Sequence, residues 1–373
     1  MKRYLAYFLA LVLMISVIFT VACSEKTDTS ATTVKESEKE TQVQTTAEKT
    51  EEVTTEEQIE TTAHTEDEST YAETDKETEK VVFEELDMAK IDNHEKIPLW
   101  GDGEAPFEIK EEKVKARFAQ TATIQAYLVE GSEYCIIVYP GGGYSTITAA
   151  EAGDIAKAYN EKGISAFVCN YRVNQYTDEK LGYVAYHRDA FLADGQRAVQ
   201  YVRYYASAFG INPDKIGVIG FSAGGHLAMY VCEHECEENY LGDEIGKVSS
   251  RPNLCILSYA VTVLKPGISS VTTQHFFHSQ EERTNQELID FYSYTYAPEK
   301  MPPTMFWYSL KDTSVNYTVC SEEFALKLSE LGITNEVYSY SDGGHGVGLA
   351  KDYPACSQWF DTSIDFISRM FGD

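Results

Sequence analysis

Residues 212–228 read NPDKIGVIGFSAGGHLA, and the way this stretch divides decides the fold. Residues 215–220 (KIGVIG) are short and apolar, as a buried strand is, and residues 223–235 read as the helix that follows. Between them, Gly220-Phe221-Ser222-Ala223-Gly224-Gly225 leaves no length for a loop. A serine on so sharp a strand-to-helix turn needs strained backbone angles. Gly220 and Gly224, which have no Cβ, let strand and helix approach closely. The turn lifts the Ser222 hydroxyl above the sheet with a helix N-terminus behind it, where developing negative charge is favoured.

Strand-like and helix-like runs alternate outward from this turn. Upstream, 134–139 (YCIIVY) is a continuous apolar run ending in Pro140-Gly141-Gly142-Gly143, followed by a helical stretch over 149–162. Then come a strand at 164–170 (ISAFVCN) and a helix at 188–209 with Ala190, Leu192, Ala193, Ala198, Val199 and Val202 on its apolar side. Downstream, 253–259, 304–309 and 336–339 supply strands, with helices at 319–331 and 357–370. This pattern predicts an α/β fold with a mostly parallel central sheet covered on both faces. Residues 173–187 and 261–303 are rich in Tyr, Ser, Thr and His and break the alternation. They are expected to form loops or a small cap over the C-terminal strand ends, where open α/β sheets bind ligands.

A serine hydroxyl is a poor nucleophile until a base takes its proton, so a histidine is needed within hydrogen-bond reach. His345, in Ser341-Asp342-Gly343-Gly344-His345-Gly346, follows the last clear strand and precedes the final helix, with glycines that let its ring turn inward. His226 lies one helical turn after Ser222 and reads as a packed or capping residue, while His187, His234, His275 and His278 follow no strand. Asp312 directly follows the strand at 304–309 and reaches the same sheet edge, which makes it the group that orients His345. Asp342 is the rival, but it is too close in sequence to approach the far ring nitrogen from a separate loop. The amides of Gly142, Gly143 and Ala223 are the candidate oxyanion donors. The Pro140-Gly141-Gly142-Gly143-Tyr144 loop lacks the Lys-Ser/Thr of a P-loop and the spacing of a dinucleotide fingerprint.

The N-terminal 80 residues differ in kind. A short positive start, Met1-Lys2-Arg3, leads into a nearly continuous apolar run over 5–21 and then Ala22-Cys23, which reads as an export signal over 1–23. Thr20-Val21-Ala22-Cys23 resembles a bacterial lipoprotein signal, with Thr20 where that pattern prefers Leu, and so makes Cys23 the expected lipidated residue. An uncleaved anchor and an ordinary cleaved signal are the alternatives, and all of these place the chain outside the cytoplasm. Residues 24–80 are mainly Thr, Glu, Lys and Ser and cannot bury enough apolar surface to offset their ordering entropy. They read as an acidic, disordered linker to a catalytic domain at 81–373. The net charge of -28 gives no electrostatic reason to bind nucleic acid.

Of eight cysteines, the seven beyond Cys23 are too odd a number for a full disulfide framework, and Cys135, Cys169 and Cys255 fall in strand-like runs as buried thiols. Cys232-Glu-His234-Glu-Cys236 contains zinc-ligand types, but no second ligand pair follows at a zinc-site spacing, so no metal is expected.

With these residues in place, the chain from about residue 97 onward resembles the acetyl-xylan-esterase-like and broader esterase/lipase-like group of α/β-hydrolases. The resemblance rests on PGGGY at 140–144, LADGQRAVQYVR at 192–203, NPDKIGVIGFSAGGHLA at 212–228, PPTMFWYSLKD at 302–312 and DGGHGVGLA at 342–350. Lys311 stands where relatives often carry a second Asp, and Pro140 replaces the His of the HGGG form, which fits the sugar-esterase branch. The resemblance implies an α/β-hydrolase fold and a cofactor-free serine esterase for small acyl esters, acetyl groups on plant polysaccharide such as xylan foremost. Some relatives are called xylanases, but no pair of carboxylates is placed for glycoside hydrolysis. Tyr144, Tyr171, Tyr176 and Phe276 are candidates for a sugar-stacking wall, with core or loop packing the commoner use of such aromatics. A serine exopeptidase of the same fold and a non-catalytic carbohydrate-binding surface protein are the competing functions.

Overall fold

The computed structural model describes residues 86–101, 105–175, 177–178, 183–277 and 279–372. The expected export signal with Cys23, the linker at 24–80, the boundary at Val81, and Tyr176 and His278 lie outside the described residues. Among the described residues no helix is long and apolar enough to cross a membrane.

The strands are β1 (Ile97–Pro98), β2 (Thr123–Tyr127), β3 (Cys135–Tyr139), β4 (Ser165–Asn170), β5 (Thr177–Asp178), β6 (Tyr183–Val184), β7 (Ile216–Phe221), β8 (Leu254–Ser258), β9 (Thr304–Ser309) and β10 (Asn335–Tyr340). The α-helices are α1 (Met88–Asp92), α2 (Glu112–Phe118), α3 (Gly153–Glu161), α4 (Arg188–Tyr204), α5 (Ala223–Glu233), α6 (Ser270–Phe276), α7 (Gln280–Thr284), α8 (Gln286–Phe291), α9 (Glu323–Glu330) and α10 (Trp359–Phe371). An 8-stranded sheet runs in the order β1-β2-β4-β3-β7-β8-β9-β10, and β5 and β6 form a separate hairpin-like pair. From β4 to β10 every neighbour pair is parallel, whereas β1 and β2 attach antiparallel.

Strand order positions the site. The chain builds outward from β3 to β4 on one side, then returns to place β7 on the other, so the sheet's switch point lies between β3 and β7. Such a switch opens a crevice beyond the C-terminal strand ends. The register there pairs Tyr139 with Gly220, which brings the loop after β3 alongside the turn after β7.

The period-2 alternation of these strands splits the core into two layers. Ile136, Val138, Ile219, Ile256 and Trp307 face Ile155 and Tyr159 of α3 and Trp359 and Phe366 of α10. Ile137, Tyr139, Val218, Cys255 and Phe306 face the other way, toward Phe191 and Val199 of α4 and Leu227 of α5. Each fully buried large apolar side chain contributes about 1.5–3 kcal/mol, and β3, β7 and β8 are buried along their whole length. That explains why their runs are continuously apolar rather than alternating. Every described cysteine is free, and all but Cys236 are buried.

The expected helix over 149–162 is broken. A 3-10 turn at Ala149–Glu151 meets α3 at Ala152, whose backbone angles (φ -108°, ψ -109°) belong to neither. The expected cap region at 261–303 contains α6, α7 and α8, short helices tied by side-chain bonds to Asn174, to Arg188 of α4 and to His226 of α5.

Candidate active site

Ser222 sits between β7 and α5 at φ 53° and ψ -117°, a backbone state that costs a non-glycine residue on the order of 1–3 kcal/mol. Its surroundings enforce that state. The Ser222 N–H donates to the Ser258 carbonyl at 3.0 Å, and its own carbonyl accepts from Val261 at 3.0 Å. A Cβ on Gly220 would lie 2.1 Å from the Gly224 carbonyl oxygen, and one on Gly224 would lie 2.1 Å from that of Tyr139. Only glycines fit where strand, helix and the β3 end converge.

The structure brings the expected partners to this serine. His345 Nε2 lies 2.8 Å from Ser222 Oγ, and His345 Nδ1 lies 2.8 Å from Asp312 Oδ2. Asp312 Oδ1 accepts the N–H groups of Ser314 at 2.8 Å and Val315 at 3.0 Å, so the carboxylate is held in place by its own loop. An ionised Asp312 accepts Nδ1–H, which leaves Nε2 free to accept the serine proton. The rival Asp342 is committed elsewhere: its oxygens accept the Cys356 N–H at 2.7 Å and the Ala355 N–H at 3.0 Å, ahead of α10.

A cavity of about 430 Å3 opens over Ser222, lined by Gly142, Gly143, Thr148, Glu151, His345 and Gly346 together with Ser269, Val271, Thr272, Ser314 and Val315. Gly142 and Gly143 have φ of 129° and 61°. A Cβ on Gly142 would lie 2.0 Å from the Thr146 carbonyl oxygen, so this loop depends on glycine. Ala223 opens α5, and its N–H belongs to the first helical turn, which has no intrahelical acceptor. Main-chain donors beside a hydrogen-bonded Ser-His-Asp chain can stabilise the oxyanion of an acyl-transfer intermediate.

Tyr144 is a correction. Its ring is fully buried, as are those of Tyr171 and Phe276, so these side chains form no sugar-stacking wall. Tyr144 (φ 58°) instead turns inward beneath the glycine loop and stacks on Phe191 at 4.4 Å. Its hydroxyl meets His226 Nδ1 at 2.7 Å, while His226 Nε2 lies 2.7 Å from the Tyr292 carbonyl. Because Nε2–H donates to that carbonyl, Nδ1 accepts from the tyrosine. Burial holds His226 down to about 4, which keeps the ring neutral.

The Cys232–Cys236 stretch also has other roles: Cys232 is buried, and His234 lies between the rings of Tyr230 at 4.1 Å and Tyr296 at 4.4 Å. Sequence reasoning missed Glu151, which lines the cavity, and Tyr259, whose ring packs against His345 with centroids 5.0 Å apart. The only available signal for Glu151 was an acid isolated among small residues, Ala149-Ala150-Glu151-Ala152-Gly153, shortly after the glycine loop.

A BD-FAE family model matches residues 127–328, more than half of the chain. The chain belongs to the BD-FAE family. In fold it is similar to the acetyl ester-xyloside bifunctional hydrolase of Caldicellulosiruptor lactoaceticus, with 30% identity and a TM-score of 0.65 over 74% of this chain and 97% of that one. In sequence it is 28% identical over 217 residues to an acetylxylan esterase of Xylanibacter ruminicola, covering 57% of this chain and 41% of that protein. It is 31% identical over 225 residues to endo-1,4-beta-xylanase B of Butyrivibrio fibrisolvens, covering 58% of this chain and 33% of that protein. The chain therefore spans well under half the length of these curated relatives. The BD-FAE match covers the glycine loop, Ser222 and Asp312 but ends before His345.

Proposed function

We propose that this BD-FAE chain is a serine carboxylic-ester hydrolase that removes small acyl groups, acetyl foremost, from plant polysaccharide such as xylan or its oligomers. The observation that carries the reading is the continuous hydrogen-bonded chain from Ser222 through His345 to Asp312 at the floor of an open cavity. Ser222 Oγ attacks the ester carbonyl carbon as its proton passes to His345 Nε2, and the carbonyl oxygen, now an anion, takes hydrogen bonds from the amides of Gly142, Gly143 and Ala223. Collapse of this intermediate breaks the bond to the alcohol, which leaves with the proton from His345. Water, deprotonated by His345, then attacks the acyl-enzyme and releases the acid and Ser222. Asp312 keeps Nδ1–H oriented and stabilises the imidazolium throughout.

The acetyl and xylan elements of the proposal are supported by the names of two relatives, the acetylxylan esterase and the acetyl ester-xyloside hydrolase. The xylanase name of the third does not carry over, because glycoside hydrolysis needs two facing carboxylates. Among the described residues lining the cavity Glu151 is the single carboxylate, and both its oxygens are engaged. We further propose that the protein is exported and held at the membrane through a lipid on Cys23.

The test is release of acetate from acetylated xylan, with p-nitrophenyl acetate, butyrate and feruloyl esters alongside. Acetate release that disappears in Ser222→Ala upholds the proposal. Cleavage of aminoacyl amides with no ester cleaved moves the chain to the exopeptidases, and no turnover of any of these substrates moves it to the carbohydrate-binding proteins.

A further inference from the structure

Glu151 is a carboxylate with 1% exposure. The break at Ala152 aims it into the cavity floor instead of along the surface of a helix. Its Oε2 accepts the Gly141 N–H at 2.8 Å, and its Oε1 lies 2.6 Å from the Tyr259 hydroxyl. That hydroxyl oxygen also accepts the Gly348 N–H, at 3.1 Å. Glu151 is the acceptor that the described residues offer the phenol proton, so both carboxylate oxygens receive a donor. Burial pushes the Glu151 carboxyl above its ordinary value, while the bonds from Tyr259 and Gly141 and the neighbouring His345 pull it back.

The location of each donor gives this arrangement its meaning. Gly141 opens the glycine loop after β3, Tyr259 follows β8, and Gly348 belongs to the loop that carries His345. The Tyr259 ring packs edge-on against the imidazole of His345, with centroids 5.0 Å apart. A Cβ on Gly141 would lie 2.6 Å from Glu151 Oε2 and 3.0 Å from Ser222 Cβ, so the carboxylate occupies the layer directly beneath the nucleophile. A buried carboxylate carries a desolvation penalty that a neutral side chain of the same shape avoids.

We propose that Glu151 is a positioning residue that locks the glycine loop and the His345 loop in one geometry about Ser222. This rests on the reading of Ser222, His345 and Asp312 as the reacting groups. Glu151 touches no reacting atom; it acts through Gly141 and Tyr259. Loosening it displaces the oxyanion donors and the base from the transition state more than from the bound ester, so the loss falls on kcat rather than KM.

The experiment measures p-nitrophenyl acetate hydrolysis by the full chain, with reactive serine titrated by a phosphonate so that kcat is expressed per active site. It compares wild type, Ser222→Ala, Glu151→Gln, Tyr259→Phe and the Glu151→Gln/Tyr259→Phe pair. Glu151→Gln places an amide NH2 against a donor and is expected to lower kcat about ten- to hundredfold, less than loss of an oxyanion donor itself, with KM within about twofold. Tyr259→Phe lowers kcat by a smaller factor, and the pair is no worse than Glu151→Gln alone, because both changes cut the same tie. Wild-type kcat in Glu151→Gln, a loss carried by KM, or independent multiplication of the two effects overturns the proposal. Should Glu151→Gln fail to fold, Tyr259→Phe decides: a reduced kcat at constant KM supports the proposal and an unchanged kcat overturns it. If Ser222→Ala turns over like wild type, the reading of the site fails. If Ser222→Ala is silent while Glu151→Gln behaves as wild type, only the Glu151 proposal fails.

Discussion

Two regions pack around Ser222: a rear one that converges on glycine main chain, and a front one that brings side chains of the 261–303 segment to the cavity. The rear region is fixed by exclusion: added Cβ atoms on Gly220, Gly224 and Gly142 would come within 2.1 Å of backbone oxygens. The front region, with Ser269, Val271 and Thr272, belongs to a segment whose helices α6, α7 and α8 are only 7, 5 and 6 residues long. Helices that short do not hold in water alone. They are tethered by Asn174 to the His275 carbonyl at 2.8 Å, Arg188 to Glu282 at 2.9 Å, and His226 to the Tyr292 carbonyl at 2.7 Å. On the proposed reading, acyl transfer needs sub-ångström placement and would fall to the glycine-packed region, leaving the choice of acyl group to the segment that is easier to remodel.

The comparison breaks most decisively at Ser222. Ser222→Ala is expected to lower ester hydrolysis by about 10⁴- to 10⁶-fold with the thermal midpoint unchanged. Residual activity of a few per cent in a rate assay would mean that the rear region is not the reaction centre.

The next effect lies where the chain leaves β4 on its way to α4. Arg172, fully buried, gives its Nε and a terminal nitrogen to Asp194, each at 2.8 Å, and Trp100 Nε1 donates to the same carboxylate at 2.7 Å. Asp194→Ala removes the fully buried partner of this guanidinium and leaves it, among the described residues, only the partly exposed Glu108 at 3.5 Å as an ion-pair partner. It is expected to lower unfolding free energy by about 3 kcal/mol in denaturant titration.

Acid should then loosen the two regions from each other. His226 joins Tyr144 behind to Tyr292 in front, and its folded value of about 4 lies below its ordinary 6.5. A depressed histidine contributes stability that is present above 6.5 and lost as pH falls toward 4, on the order of 3 kcal/mol by the lower limit. His234, also held down to about 4 by burial, titrates in the same window. Unfolding measured between pH 7 and 4 should be less steep in His226→Gln, and an unchanged slope would remove His226 from this role.

The smallest effect belongs to the front region itself. Val271 is 57% exposed, yet a Cβ on Gly143 would lie 2.7 Å from its Cγ1, so it overhangs the glycine loop. Val271→Ala is expected to change stability by no more than about 0.5 kcal/mol and to raise the butyrate-to-acetate rate ratio by less than about tenfold. An unchanged ratio would take the acyl choice away from this region.

The same contrast explains what the sequence made legible. The strands around Ser222 are buried on both faces, so their apolar runs mark them directly, and the order Ser222, Asp312, His345 follows from which loops leave one sheet edge. Strand β2, TIQAY, carries a partly exposed Gln125 in its middle and joins the sheet antiparallel, so neither a continuous run nor a strand–helix alternation announces it. Tyr144 was legible only as a choice between a sugar-facing wall and core packing, because its residue type fits both, and the positive φ that turns the ring into the core is not readable from the sequence. Glu151 was passed over because an acid in a helix-like stretch reads as a solvent face, and its burial depends on a break at Ala152 that no local propensity signals.

Of the three tryptophans in the chain, Trp307 of β9 and Trp359 of α10 lie face to face in the core, with ring centroids 4.7 Å apart and planes 9° apart. Indoles this close exchange electronic excitation and quench or shift each other's emission, so the fluorescence of the pair should change when the rings separate. The stacking exists only while the last helix is seated on the sheet. The native chain thus has a built-in optical reporter for the docking of its C-terminus, on the layer of the sheet that also supports the His345 loop.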